Sequence, residues 1–140
     1  MMIWLELAIL LSLPFLAVLF VIGFRKVPRR LKVNKYVGDW KELQGFCKDR
    51  ATWPQALTDA DKLLDQALRR RKFKGKSMGE RLVSAQRKLS DNDSVWTAHN
   101  LTKRIADNPV LRLRESAVKM ALIAYRQALK DLGALPNEKT

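Results

Sequence analysis

Residues 52–68 read "TWPQALTDADKLLDQAL", and the spacing of their apolar side chains decides the fold class. Trp53, Ala56, Leu57, Ala60, Leu63, Leu64, Ala67 and Leu68 recur at i, i+3, i+4 and i+7, the period of one face of an α-helix. Pro54 falls in the first turn, where its missing N–H removes no intrahelical hydrogen bond. The stretch "RRRKFKGKS" that follows places cations at the negative C-terminal pole, and the helix is expected to break at Gly75.

Working downstream, Ser77-Met78-Gly79-Glu80 has the S-x-x-E form of a capping box and predicts a third helix, with Leu82, Ala85, Gln86 and Leu89 turned inward. "SDNDS" (90–94) supplies a turn and cap, so that Trp96 starts a fourth helix. Asn108-Pro109 closes it, because the residue before proline disfavours the α region. A last helix is expected over 115–132, with Ala117, Ala121, Ala124, Ala128 and Leu132 in one stripe, Val118, Leu122, Tyr125 and Leu129 beside it, and Gly133 as the stop. Upstream, "YVGDWKELQGFCKD" (36–49) predicts a short first helix with Trp40, Leu43 and Cys47 or Phe46 on one side. No strand-like alternation of convincing length follows residue 25. The expectation is an all-α bundle of four or five short helices over 36–135, closed by a tail at 136–140.

Residues 7–24, "LAILLSLPFLAVLFVIGF", carry no charge, and Ser12 is the only conventional polar side chain among them. As a helix they extend roughly 27 Å, close to the hydrocarbon thickness of a bilayer. This predicts a transmembrane anchor over 1–24 in preference to a buried core helix. "MMIWLE" lacks the basic start of a cleaved signal peptide and no small-residue cleavage pattern follows, so the segment is expected to stay attached. Trp4 suits an outer interfacial anchor, and Pro14 is tolerable within a membrane helix.

Arg25, Lys26, Arg29, Arg30, Lys32 and Lys35 follow the span directly, whereas only Glu6 precedes it. The cationic side stays in the cytoplasm, giving a single-pass protein of the cell inner (plasma) membrane with its N-terminus outside and its C-terminal domain cytoplasmic. Residues 25–35 are expected to form a basic juxtamembrane linker on the membrane surface, drawn to the anionic inner leaflet. Beyond residue 35 there remain 21 cations against 13 acids, within a formal net charge of +13 for the whole chain. Such a domain is attracted to polyanions, whether RNA, DNA or anionic lipid.

One cysteine, Cys47, and one histidine, His99, exclude an internal disulfide and a Cys/His structural zinc site within one chain. Neither residue has a local activator for nucleophilic chemistry. Asp61 and Asp65 share a helix face one turn apart and Asp59 projects elsewhere, so no converging set of oxygen ligands forms. These carboxylates read as a solvated face, with Asp65 paired to Arg69. No metal or cofactor is expected.

Arg69, Arg70, Arg71, Lys72, Phe73, Lys74 and Lys76 leave two readings open. They form a phosphate-binding patch in which Phe73 stacks on a base, or a helix end and solvated loop with Phe73 folded into the core. Contact with anionic headgroups is a third reading. The tryptophans are expected to be core and interface anchors.

From Trp40 to Leu135 the chain resembles an uncharacterised family of small bacterial membrane-anchored helical proteins. The residues that carry the likeness are "WKELQ", "TWPQALTDADKLLDQAL", "FKGKSMGERLVSAQRKLSDNDSVW" and "YRQALKDLGAL". Its last two helices, through "HNLTKRIADNP" (99–109), look like the HEPN fold, whose active members cleave RNA with an Arg and a His that have four to six residues between them. Here Thr102 stands where that arginine is expected and Asp107 where the histidine is expected, while His99 lies upstream. The resemblance therefore implies an inactive HEPN-like domain, with Lys103 and Arg104 still available to a phosphate and His99 packed or hydrogen-bonded inside the bundle. The expected function is a membrane-anchored, non-enzymatic interaction module that docks a protein partner or forms a homodimer. The alternative is a membrane-tethered RNA-binding protein or a residual HEPN-type RNase.

Overall fold

The computed structural model describes residues 2–26 and 30–138, with side chains from 2–23 and 30–138. Its six α-helices are α1 (Met2–Lys26), α2 (Val33–Gly45), α3 (Trp53–Arg70), α4 (Met78–Ala85), α5 (Asn92–Asp107) and α6 (Glu115–Asp131), with one 3-10 turn over Arg50–Thr52 and no strand among the described residues. Expected and observed fold class agree: an apolar N-terminal helix is followed by a bundle of five.

Helix α3 is the axis of that bundle and packs against α2, α4, α5 and α6. Its inward stripe is the one that its spacing predicts, with Ala56, Leu57, Ala60, Leu63, Leu64, Ala67 and Leu68 all buried. Helices α5 and α6 form the most extensive packed pair. Val95, Ala98 and Ile105 on one face the core together with Val118, Ala121, Ala124, Ala128 and Leu129 on the other.

Among the described residues, helix α1 packs against none of the other elements. Met2–Gly23 is long and apolar enough to cross a membrane, and none of it is covered by the rest of the described protein. Its one hydroxyl, Ser12 Oγ, donates to Ile9 O at 2.9 Å, so the helix satisfies its own polar group.

Several boundaries differ from the sequence expectation for local reasons. Helix α2 begins at Val33, so residues 33–35 of the expected linker are helical, and it ends at Gly45 rather than at 49. Tyr36, Trp40 and Leu43 form its buried row, while Phe46 and Cys47 are half-buried in a turn. The unwound carbonyls of that turn find other donors: Thr52 Oγ1 donates to Phe46 O at 2.6 Å and Trp53 Nε1 to Cys47 O at 3.0 Å. Helix α5 begins at Asn92, four residues before Trp96, because Asp91 accepts from Ser94 N at 3.1 Å and caps it. Gln86, expected inward, is exposed, since α4 stops at Ala85 and the chain turns away.

Helix α3 does not break at Gly75. It ends in a Schellman turn in which Phe73 N donates to Leu68 O and Lys72 N to Arg69 O, with Lys72 in the left-handed region at φ 63°. Helix α6 ends in the same way, with Ala134 N donating to Leu129 O and Gly133 at φ 79°. Gly75 has another purpose. A Cβ there would lie 2.7 Å from Arg81 N, so the loop crosses α4 too closely for any side chain.

Candidate functional site

Two polar assemblies stand out, one inside the bundle and one at its surface. The inner one joins three helices. Asp61 of α3 lies with Oδ1 2.8 Å from Nδ1 of His99 on α5, and the same oxygen accepts from the Tyr125 hydroxyl of α6 at 2.8 Å. Tyr125 has a single proton, and it goes to Asp61. Thr102 Oγ1, 2.7 Å from the Tyr125 hydroxyl, is therefore the donor in that contact. His99 and Thr102 are buried, and Trp96 meets the imidazole edge-on with ring centroids 6.1 Å apart. Burial, and then the charge of Asp61, push the Tyr125 hydroxyl far above its ordinary value, so it remains protonated as the network needs.

The solvated-face reading of the carboxylates fails for two of the three. Asp61 and Asp65 have side chains only 17% and 19% exposed. Asp65 pairs with Arg69 as expected, but its other oxygen accepts from the buried Arg81 Nε at 2.7 Å, and Arg81 Nη1 also donates to Gly75 O. The sequence carried a signal for this. Asp61 continues the row of Leu57, Leu64 and Leu68 at i, i+4, i+7 and i+11, so it occupies the core face of α3. Tyr125 stands beside the inward stripe of α6 with no polar partner at local spacing, and Arg81 and Tyr36 belong to no sequence pattern of their own.

Thr102, at the position where the HEPN resemblance expects arginine, is inside the core, whereas Asp107 is the exposed last residue of α5. No group of three or more His, Cys, Asp or Glu side chains is arranged to hold a metal among the described residues. Burial raises the Cys47 thiol, the reverse of what activates a nucleophile.

The outer assembly is a groove of about 680 Å³ between the start of α2 and the end of α3. Arg30, Lys32 and Lys35 line it from the α2 side, and Arg69, Arg70 and Lys72 from the α3 side, together with Leu31, Tyr36 and Gln66. No carboxylate lines it among the described residues. The fold thus unites part of the juxtamembrane run with part of the Arg69–Lys76 run, although 34 residues separate Lys35 from Arg69. The side chains of Arg25, Lys26 and Arg29 lie outside the described residues.

The other cations of the second run separate from the groove. Arg71 is half-buried, Phe73 packs against the core, and Lys74 and Lys76 are exposed on the loop. Phe73 is half-buried and packs against the core, as the second reading of this run expects. Lys103 is exposed on α5, and Arg104 lines a separate recess of about 410 Å³ between α5 and α6, with Leu101, Ala117, Met120 and Ala121. Neither joins the groove.

No protein-family model, curated protein or solved structure matches this chain. Its function has to be read from its own geometry.

Proposed function

We propose that this chain is a single-pass, membrane-anchored, non-enzymatic interaction module, whose HEPN-like bundle lies on the cytoplasmic side of the plasma membrane with its N-terminus outside. The observation that carries the reading is the contrast between α1 and the rest. The bundle covers its own apolar stripes, while the large apolar side chains of α1 from Met2 to Ile22 remain uncovered. In water that exposure is unfavourable at about 25 cal/mol per Å², and only lipid or another apolar body removes it. The cations that follow α1 favour the cytoplasmic side for the bundle. The polar groups that would serve an enzyme are engaged with one another in the core, which supports docking rather than catalysis.

The partner favoured here is a second copy of the chain. The α5–α6 recess lies beside its own protrusion, since Met120 lines it and is 67% exposed, with Ile123 exposed to the same extent one turn on. A knob next to a hole on one surface is self-complementary about a two-fold axis. A common tether also holds copies in one plane and one orientation, which raises their effective concentration. Cysteine-independent crosslinking of the full chain in its membranes, followed by size analysis, tests this. A dimer that disappears in Met120→Glu with Ile123→Glu supports the reading; monomers alone, or a dimer indifferent to both changes, overturn it. A reporter fused after Thr140 tests the topology separately, and accessibility from outside the cell would reverse it.

A further inference from the structure

We infer that the groove between α2 and α3 is a binding site for the phosphate of an anionic phospholipid headgroup. The inference rests on the membrane anchoring proposed above and adds to it a specific ligand class and the residues that hold it.

Four observations point to this ligand. The first is unneutralised charge. Lys35 is paired with Asp39 and Arg69 with Asp65, but Arg30, Lys32, Arg70 and Lys72 have no carboxylate partner among the described residues. Four cations held around one cavity repel each other unless an anion enters.

The second is that helix capping accounts for only half of the lining. Arg69, Arg70 and Lys72 suit the negative C-terminal pole of α3. Arg30, Lys32 and Lys35 gather instead at the positive N-terminal pole of α2, which has no acidic residue in its first turn and no side-chain cap. Charge there runs against the dipole, and the orphan N–H groups of that first turn add to the attraction for an anion.

The third is Tyr36. Its side chain is buried, with 4% exposure, and it lines the groove, yet its hydroxyl has no hydrogen-bond partner among the described residues. The hydroxyl is not sealed in the core but reaches the groove, where a phosphate oxygen can accept from it, with Arg30 and Arg70 supplying the guanidinium forks.

The fourth is reach. Seven residues separate Gly23, the end of the span, from Arg30. Even fully extended they cover only about 25 Å, so the groove cannot leave the neighbourhood of the headgroup layer.

The experiment uses the full chain in nanodiscs of phosphatidylcholine doped with phosphatidic acid, released for native mass spectrometry so that retained lipids are counted. The expected result is one preferentially retained phosphatidic acid molecule. Retention should fall about tenfold in Arg30→Gln with Arg70→Gln, and measurably in Tyr36→Phe, but not in the charge-matched control Lys74→Gln with Lys76→Gln. Equal loss in the control would show that only total charge matters, and undiminished retention in the groove variant would place the lipid elsewhere; either result overturns the site. Displacement of the lipid by millimolar inorganic phosphate would assign the groove to a free phosphate and overturn the lipid as its source. An RNA oligonucleotide that binds through the same residues, with no lipid retained, would overturn it in favour of nucleic acid. Failure of the anchoring itself looks different, because the wild-type chain would then not be recovered in the nanodiscs at all.

Discussion

His99 Nδ1 lies 2.8 Å from Asp61 Oδ1, and that single contact ties α5 to the axial helix at the depth where Tyr125 ties α6 to the same oxygen. One carboxylate therefore sets the relative position of three helices. Apolar stripes alone slide and rotate against one another at little cost, whereas a shared hydrogen-bond acceptor fixes one register.

Removal of that acceptor should cost more than removal of either donor. Asp61→Ala leaves His99 without a partner in the core and Tyr125 with Thr102 alone, and a loss of about 2–3 kcal/mol is expected. Tyr125→Phe removes a donor but leaves Asp61 with His99, and Thr102 can turn to Ala98 O at 3.1 Å, so about 1 kcal/mol is expected. Urea unfolding of the full chain in detergent, followed by helical circular dichroism, measures both. Equal losses would show that Asp61 is not the centre of the network.

The same residues set an alkaline limit. The folded Tyr125 hydroxyl ionises well above the value of 10.0 that it has in an unfolded chain. Its contribution is therefore complete below about pH 10 and is lost as the pH rises beyond it, because the unfolded state then gains a phenolate that the folded state resists. Burial raises Tyr36 in the same direction, partly opposed by Lys35 and Arg70. Thermal midpoints taken from pH 8 to 11 should fall above pH 10, and less steeply in Tyr125→Phe than in the wild type.

Two helix ends of identical geometry carry different residues. Lys72 occupies a left-handed position that favours glycine, and Gly133 occupies the equivalent position after α6. Lys72→Gly should stabilise the chain by up to about 1 kcal/mol, and Gly133→Ala should destabilise it by a similar amount. Denaturant midpoints read both signs directly, and destabilisation by Lys72→Gly would mean that the Lys72 side chain contributes more than its backbone strain removes.

Arg81 is the other buried anchor. Its fork spans Asp65 Oδ1 and Gly75 O, and a lysine reaches one of these but not both. Arg81→Lys should cost about 1–2 kcal/mol. Gly75→Ala should also destabilise, because the added Cβ meets the backbone of Arg81 and Glu80 at under 3 Å. Proteolytic cleavage in the 72–77 loop should speed up in both variants, and unchanged cleavage would disprove the coupling of loop to helix.

The all-α fold, the positions of α3 and α6, the Ser77 and Gly133 helix ends and the apolar character of α1 were legible in the sequence. Each depends on interactions within a few residues along the chain: periodicity, capping and turn chemistry. Where these local rules are degenerate, the boundaries shifted. Asp91 and Trp96 both offered a start for α5, and the cap won because it satisfies a backbone N–H. Lys72 displaced Gly75 as the end of α3, because the two backbone hydrogen bonds of the Schellman turn and the packing of Phe73 against the core offset the strain of a left-handed lysine.

The sequence by itself determined that an uncharged helix is followed by a strongly basic helical body. It could not determine which charges meet. Asp61 and Tyr125 are 64 residues apart, and Arg30 and Arg70 are 40 apart, so neither the buried network nor the cationic groove has any signature in local spacing. Packing of α2, α5 and α6 around α3 made those pairings, because electrostatics and hydrogen bonding act over a few ångströms of space and only tertiary structure sets those distances.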